Sequence, residues 1–159
     1  MKSIVKSVFM VLFVSGAVHA QSLDELPAKV AQLSKAMVRN CTKAGGKARY
    51  EPLELVTSVF FGNDFDGGGR ESFVIDGSKL HCKGGASFGL PCRADECQLI
   101  VVNPSGEDGY RVDFNSTVQA WGLAGANAAE KGPNVNLELT VGGDIYQYSI
   151  DGRGLKKIN

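Results

Sequence analysis

Histidine is nearly missing from this chain of 159 residues: only His19 and His81 occur. A Ser-His or Cys-His constellation needs a base beside its nucleophile. His81 is the one histidine beyond the N-terminal leader expected below, and its neighbour Cys82 is expected to be oxidised. No H-E-x-x-H, P-loop or S-x-x-K pattern stands after residue 20, which removes the zinc-protease, nucleotide-binding and Ser-Lys signatures. A surplus of positive charge is also lacking, with 17 basic against 17 acidic residues. Nucleic acid and anionic membrane surfaces, which need a concentrated positive field, are therefore not expected as the main partner. Tryptophan occurs once, at Trp121, and an isolated aromatic of this kind reads as core.

Long apolar runs are missing too. The most apolar stretch, residues 8–14, is too short to span the ~30 Å hydrocarbon layer of a bilayer. It follows Lys2 and Lys6 and precedes Ala17-Val18-His19-Ala20, the three regions of a secretory leader with an A-x-A cleavage site. Residues 1–20 are therefore expected to be a signal peptide and residues 21–159 a single mature domain, not membrane-spanning, periplasmic or secreted. Cleavage leaves 15 basic and 17 acidic residues. All four cysteines, Cys41, Cys82, Cys92 and Cys97, lie in the mature part. An even number in an exported chain reads as two disulfides with three possible pairings; the expected one joins Cys92 to Cys97 locally and Cys41 to Cys82 across the fold.

Ser22-Leu23-Asp24-Glu25 has the form of a capping box, so a helix is expected from here with Pro27 in its first turn. Leu26, Val30, Leu33, Met37 and Cys41 recur at helical spacing, and Lys43 with Gly45-Gly46 closes the helix. From Leu53 the period becomes two: Leu53, Leu55, Thr57, Val59 and Phe61 alternate, and Phe73-Val74-Ile75 offers a return strand. Residues 82–97 read as an irregular loop. Residues 98–102 form a buried strand, Tyr110, Val112 and Phe114 alternate in the next, and residues 118–132 read as loop. Val135, Leu137, Leu139 and Val141 alternate cleanly, Gly142-Gly143 makes a two-residue turn, and residues 145–150 run back. A turn at Asp151-Gly152 leads to a terminal strand. The expected class is α+β: an N-terminal helix packed on a mainly antiparallel sheet of about six to seven strands, stapled by disulfides.

Acidic side chains and consecutive glycines meet in residues 62–76, GNDFDGGGRESFVID. Asp64 and Asp66 are placed as the first two oxygen ligands of a calcium loop, with Gly69 at its turn. Gly68 and Ser72 hold the next two ligand positions without a carboxylate, so Asn63, Glu71 or Asp76 would have to serve from a shifted register. Ile75 stands where an EF-hand needs its bidentate acid, which excludes that motif. The pattern D-x-D-x-x-G-R-x-x-F-V-x-D, followed by Cys82 and the Cys92, Cys97 pair, resembles FG-GAP-like loops in small secreted proteins of Gram-negative bacteria. The likeness loosely covers the mature chain from the Cys41 helix to the Asp151-Gly152 turn. It implies structural calcium and a role in recognition; without a repeated blade, it implies no propeller.

Zinc is a rival for the cysteines, since Cys92-x4-Cys97 and His81-Cys82 supply donors at ligand spacing. Catalysis by carboxylates alone would use Asp64, Asp66 or Glu71. The remaining feature is the four-residue loop between Cys92 and Cys97, which a disulfide would pre-organise for docking. The expected function is thus an exported, non-catalytic interaction, inhibitor or stabilising module for an unidentified protein or envelope component. A calcium-stabilised structural domain comes second, and a small carboxylate-dependent hydrolase third.

Overall fold

A computed structural model describes residues 23–49, 55–59, 70–84, 91–124, 136–149 and 154–157. The expected leader, the aspartates Asp64 and Asp66, and the Asp151-Gly152 turn lie outside the described residues. The α-helix among them, α1, spans Ala28–Lys43 and buries Val30, Ala31, Ser34, Met37 and Cys41 along one face. Buried Ser34 satisfies its hydroxyl by donating to the Val30 carbonyl at 2.9 Å. Leu26 and Leu33 complete the stripe as partly buried neighbours.

The helix begins later than the capping-box pattern predicts. Residues 23–26 form a turn and Pro27 is the N-cap, with φ −51° and ψ 138° and no side-chain cap. The proline ring explains the difference, because it pushes the preceding residue, Leu26, out of the helical region. At the other end, the amide of Gly46 bonds the Cys41 carbonyl at 3.0 Å, and Lys43 sits in the last turn, favourable to the helix dipole.

Among the described residues eleven strands follow: β1 Lys47–Arg49, β2 Val56–Val59, β3 Ser72–Asp76, β4 His81–Lys83, β5 Cys92–Arg93, β6 Glu96–Ser105, β7 Gly109–Val118, β8 Ala120–Ala124, β9 Asn136–Val141, β10 Asp144–Ser149 and β11 Gly154–Lys157. All pairings are antiparallel. One sheet has the order β2-β3-β6-β5 with β7 on the far edge of β6; a second runs β11-β10-β9-β8; β1 and β4 form a small ribbon. The α+β class holds, and the strands beyond the expected six or seven are mostly pieces of two to five residues. Among these, β4 and β5 fall in the segment read as an irregular loop. β8 falls in a segment read as loop because Ala and Gly carry little strand signal; its pairing with β9 sets its conformation.

Both faces of the central sheet are covered. All five residues of β3 are buried, and residues 99–103 of β6 are buried without interruption. Alternation then divides them. Val74, Leu99 and Val101 meet Phe114, Val118, Leu137 and Leu139 against the second sheet. Phe73, Ile75, Ile100 and Val102 meet Val30, Met37, Cys41 and Leu55 against α1. A helix, a five-stranded sheet and a four-stranded sheet thus stack as three layers.

A bulge in β7 changes which face its side chains reach. Val101 is opposite Phe114 while Val102 is opposite Val112, leaving Asp113 as the extra residue. Inserting one residue flips the faces beyond it. Tyr110 therefore packs on the helix side, edge-on to Phe73 at 5.8 Å, and Phe114 on the other. The plain alternation of Tyr110, Val112 and Phe114 predicted one shared face. Asp113 is pinned where it bulges, accepting from Arg111 Nε at 2.7 Å and from Asn103 Nδ2 at 2.5 Å.

Candidate functional site

The acidic loop is framed as the sequence pattern predicts. β2 and β3 pair from Val56 opposite Ile75 to Val59 opposite Ser72, so residues 60–71 connect them. Asp64 and Asp66 lie in the undescribed part of that connection. Arg70, the arginine of the loop pattern, donates to the carbonyls of Gly109 (3.1 Å) and Gly106 and stands 5.4 Å over the Tyr110 ring. It therefore ties the base of the loop to the β6–β7 turn.

Two of the expected alternatives involve described residues. Asp76 stands at the opposite end of β3 from the loop, about 14 Å along the strand from Ser72 at ~3.4 Å per residue, and its carboxylate is committed elsewhere. The zinc reading fails, because Cys41 pairs with Cys82 and Cys92 with Cys97, leaving no free cysteine. Among the described residues, no group of three or more His, Cys, Asp or Glu side chains is gathered to hold a metal.

What the structure does assemble lies around the second disulfide. Residues 92–97 form a hairpin in which Cys92 is opposite Cys97 and Arg93 opposite Glu96, with Ala94-Asp95 as the turn. Ala94 has φ 51°, in the left-handed region that disfavours a side chain with a Cβ. Arg93, Ala94 and Asp95 are exposed. Their support comes from β7 and its continuation: Thr117 donates to Glu96 at 3.2 Å and Gln119 to Asp95 at 3.2 Å. Beneath the hairpin, Gly77 leaves no room for a side chain; a Cβ there would come within 2.8 Å of both the Gln98 carbonyl and Pro91.

Gln119 is the joint where one long strand changes sheets. β7 pairs with β6 up to Val118 opposite Cys97, and β8 pairs with β9 from Ala120 opposite Thr140. Between them, the Gln119 amide bonds the Thr140 carbonyl at 2.8 Å, and its side-chain oxygen accepts from Gly143 at 2.9 Å. Asp76, Ser78, Cys97, Val118, Gln119, Ala120 and Trp121 line a cleft of about 220 Å³ at this joint. Asp76 follows Ile75 in β3 and so points to the outer-sheet side. There one carboxylate oxygen accepts from Trp121 Nε1 at 2.8 Å and the other from the Ser78 amide at 2.8 Å. Of the buried side chains described, Asp76 is the only ionisable one, 6% exposed. Both of its oxygens are satisfied, as burial demands.

Trp121 packs against the inter-sheet core, as an isolated tryptophan is expected to. Its bond to Asp76 escapes sequence reasoning because 45 residues separate the two. A second, wider groove of about 410 Å³ lies beside the start of α1, lined by Leu26, Ala31, Lys35 and Arg39 among others. Its one ion pair, Lys35 with Asp24 at 3.5 Å, joins strongly exposed side chains, an arrangement that contributes little.

The Asp76–Trp121 bond links the central sheet to the outer one. Trp121→Phe keeps the ring but leaves a buried carboxylate oxygen without its donor, so denaturant unfolding followed by circular dichroism should show a loss of about 1–3 kcal/mol. An unchanged midpoint would mean that the bond does not join the layers.

No family model, no curated protein and no solved structure matches this chain.

Proposed function

We propose that the protein is an exported, non-catalytic interaction module that docks a protein or envelope partner through the 92–97 hairpin and the adjoining Trp121 cleft. The observation that carries this reading is the hairpin itself. Its turn is closed by a disulfide, braced by Thr117 and Gln119 and held in an uncommon backbone conformation, yet Arg93, Ala94 and Asp95 face solvent. Backbone strain of this kind persists where surrounding structure over-determines it, and such places cluster at functional surfaces. A loop fixed before binding loses less entropy on docking. The non-catalytic part draws support from Asp76, whose two oxygens serve the fold. Export draws support from the leader-like residues 1–20 and from the two disulfides; no described helix is long and apolar enough to cross a membrane.

The test is binding of the oxidised mature protein to partners captured from envelope extract, with purified partner then titrated against variants. Arg93→Ala and Asp95→Ala should each weaken affinity by about tenfold or more, the loss of ~1.4 kcal/mol expected of a central contact. Unchanged affinity in both would move the docking surface elsewhere. Turnover on a panel of sugar or peptide substrates would replace the reading with the carboxylate hydrolase.

Calcium at Asp64 and Asp66 is the second reading, favoured by the β2–β3 hairpin that frames their loop. Ligand at a hundred times its dissociation constant adds ~2.7 kcal/mol. Thermal melts with calcium and with chelator should then differ, and Asp64→Asn should erase the difference. Superimposable melts would leave the loop without an ion.

A further inference from the structure

We infer that the Cys92–Cys97 disulfide is a thiol-exchange site, entered at Cys97, whereas Cys41–Cys82 is a closed structural bridge. The inference does not depend on what docks at the hairpin. It rests on a difference in the surroundings of the two bridges. Cys41 is fully buried, and Gly46 lies over its bond so closely that a Cβ there would stand 2.4 Å from Cys82 Sγ and 3.1 Å from Cys41 Sγ. Cys82 is itself partly exposed, so the protection of this bond comes from the burial of Cys41 and from the Gly46 backbone packed against the sulfurs. Cys92 and Cys97 are both partly exposed, and Cys97 forms part of the wall of the Trp121 cleft. Exposed or strained disulfides are the ones that exchange.

The chemistry balances at this bond. An external thiolate entering the cleft attacks Cys97 Sγ, forming a mixed disulfide there and breaking the bond to Cys92. The electron pair leaves on Cys92 Sγ, which takes a proton from solvent. Cys92 Sγ stands 3.4 Å from the Gly77 carbonyl oxygen. In the disulfide the sulfur has no hydrogen to give; the freed thiol has one, and this carbonyl is placed to accept it. Of the acids around the cleft, Asp76 accepts from Trp121 and Ser78, Glu96 from Thr117 and Asp95 from Gln119. Opening the bridge also releases the turn that holds Ala94 in the left-handed region. The rest of the fold has little stake in the bond, which closes only a five-residue separation against 41 for the other bridge.

The experiment exposes the oxidised mature protein to reduced glutathione and, in a parallel arm, to a protein dithiol oxidoreductase. Free thiols are trapped by alkylation at intervals and mapped by mass spectrometry. Cys92 and Cys97 should open at least about tenfold faster than Cys41 and Cys82, since attack at buried Cys41 waits on local unfolding and Gly46 packs against the Cys82 sulfur. Glutathione should be found on Cys97, and circular dichroism should show the singly reduced protein folded. The faster arm identifies whether the natural thiol is small or carried by a protein. Simultaneous opening of both bridges, earlier opening of Cys41–Cys82, or glutathione on Cys92 would each overturn the assignment.

Discussion

Burial of β3 and the middle of β6 on both faces is the constraint from which the architecture follows. A strand whose alternate residues all leave water needs an apolar layer above and below. Phe73, Val74 and Ile75 are worth about 1.5–3 kcal/mol each only if both layers are present. The helix supplies one cover through Val30, Met37 and Cys41. The sheet of β8 to β11 supplies the other through Leu137 and Leu139. Neither cover has a second apolar layer of its own among the described residues, and the exposed Glu138 and Ile145 lie on strands of the outer sheet.

The irregular features serve that stacking. Because β7 must contribute Tyr110 to one core and Phe114 to the other, it carries an extra residue at Asp113, and Arg111 and Asn103 hold that residue in place. Because one strand serves both sheets, the chain turns at Gln119, and Asp76 reaches across to Trp121 beside the turn. The cleft is the space left where the sheets diverge. The two disulfides lie at the margins of this stack, one joining the end of α1 to the β1–β4 ribbon, the other closing the hairpin that overhangs the cleft.

Features with a local period were legible in the sequence. The α1 stripe, the β2–β3 hairpin, the strands on either side of Gly142-Gly143 and the disulfide pairing all stand where spacing and chemistry put them. Gly142 and Gly143, at φ 58° and 83°, adopt the backbone that a two-residue hairpin turn requires. Features fixed by distant partners were not legible. Ala120-Trp121-Gly122 has weak strand propensity and is shaped by β9. The flip at Asp113 leaves the apolar alternation of β7 intact while changing what each side chain touches. The helix start departs from the capping-box pattern because Pro27 restricts Leu26 to non-helical backbone. The site followed the same division: the hairpin cysteines could be read from the chain, while Gln119, Trp121 and Asp76 meet only in the folded molecule.

Native-state hydrogen exchange tests the central constraint most directly. If two-sided burial of β3 and β6 organises the fold, the amides of Val74, Ile75, Ile100 and Val101 should exchange only through global unfolding. Those of β10 and of the first turn of α1 should open at lower free energy. Greatest protection in α1 or in the β8–β11 sheet, with β3 opening earlier, would contradict the account.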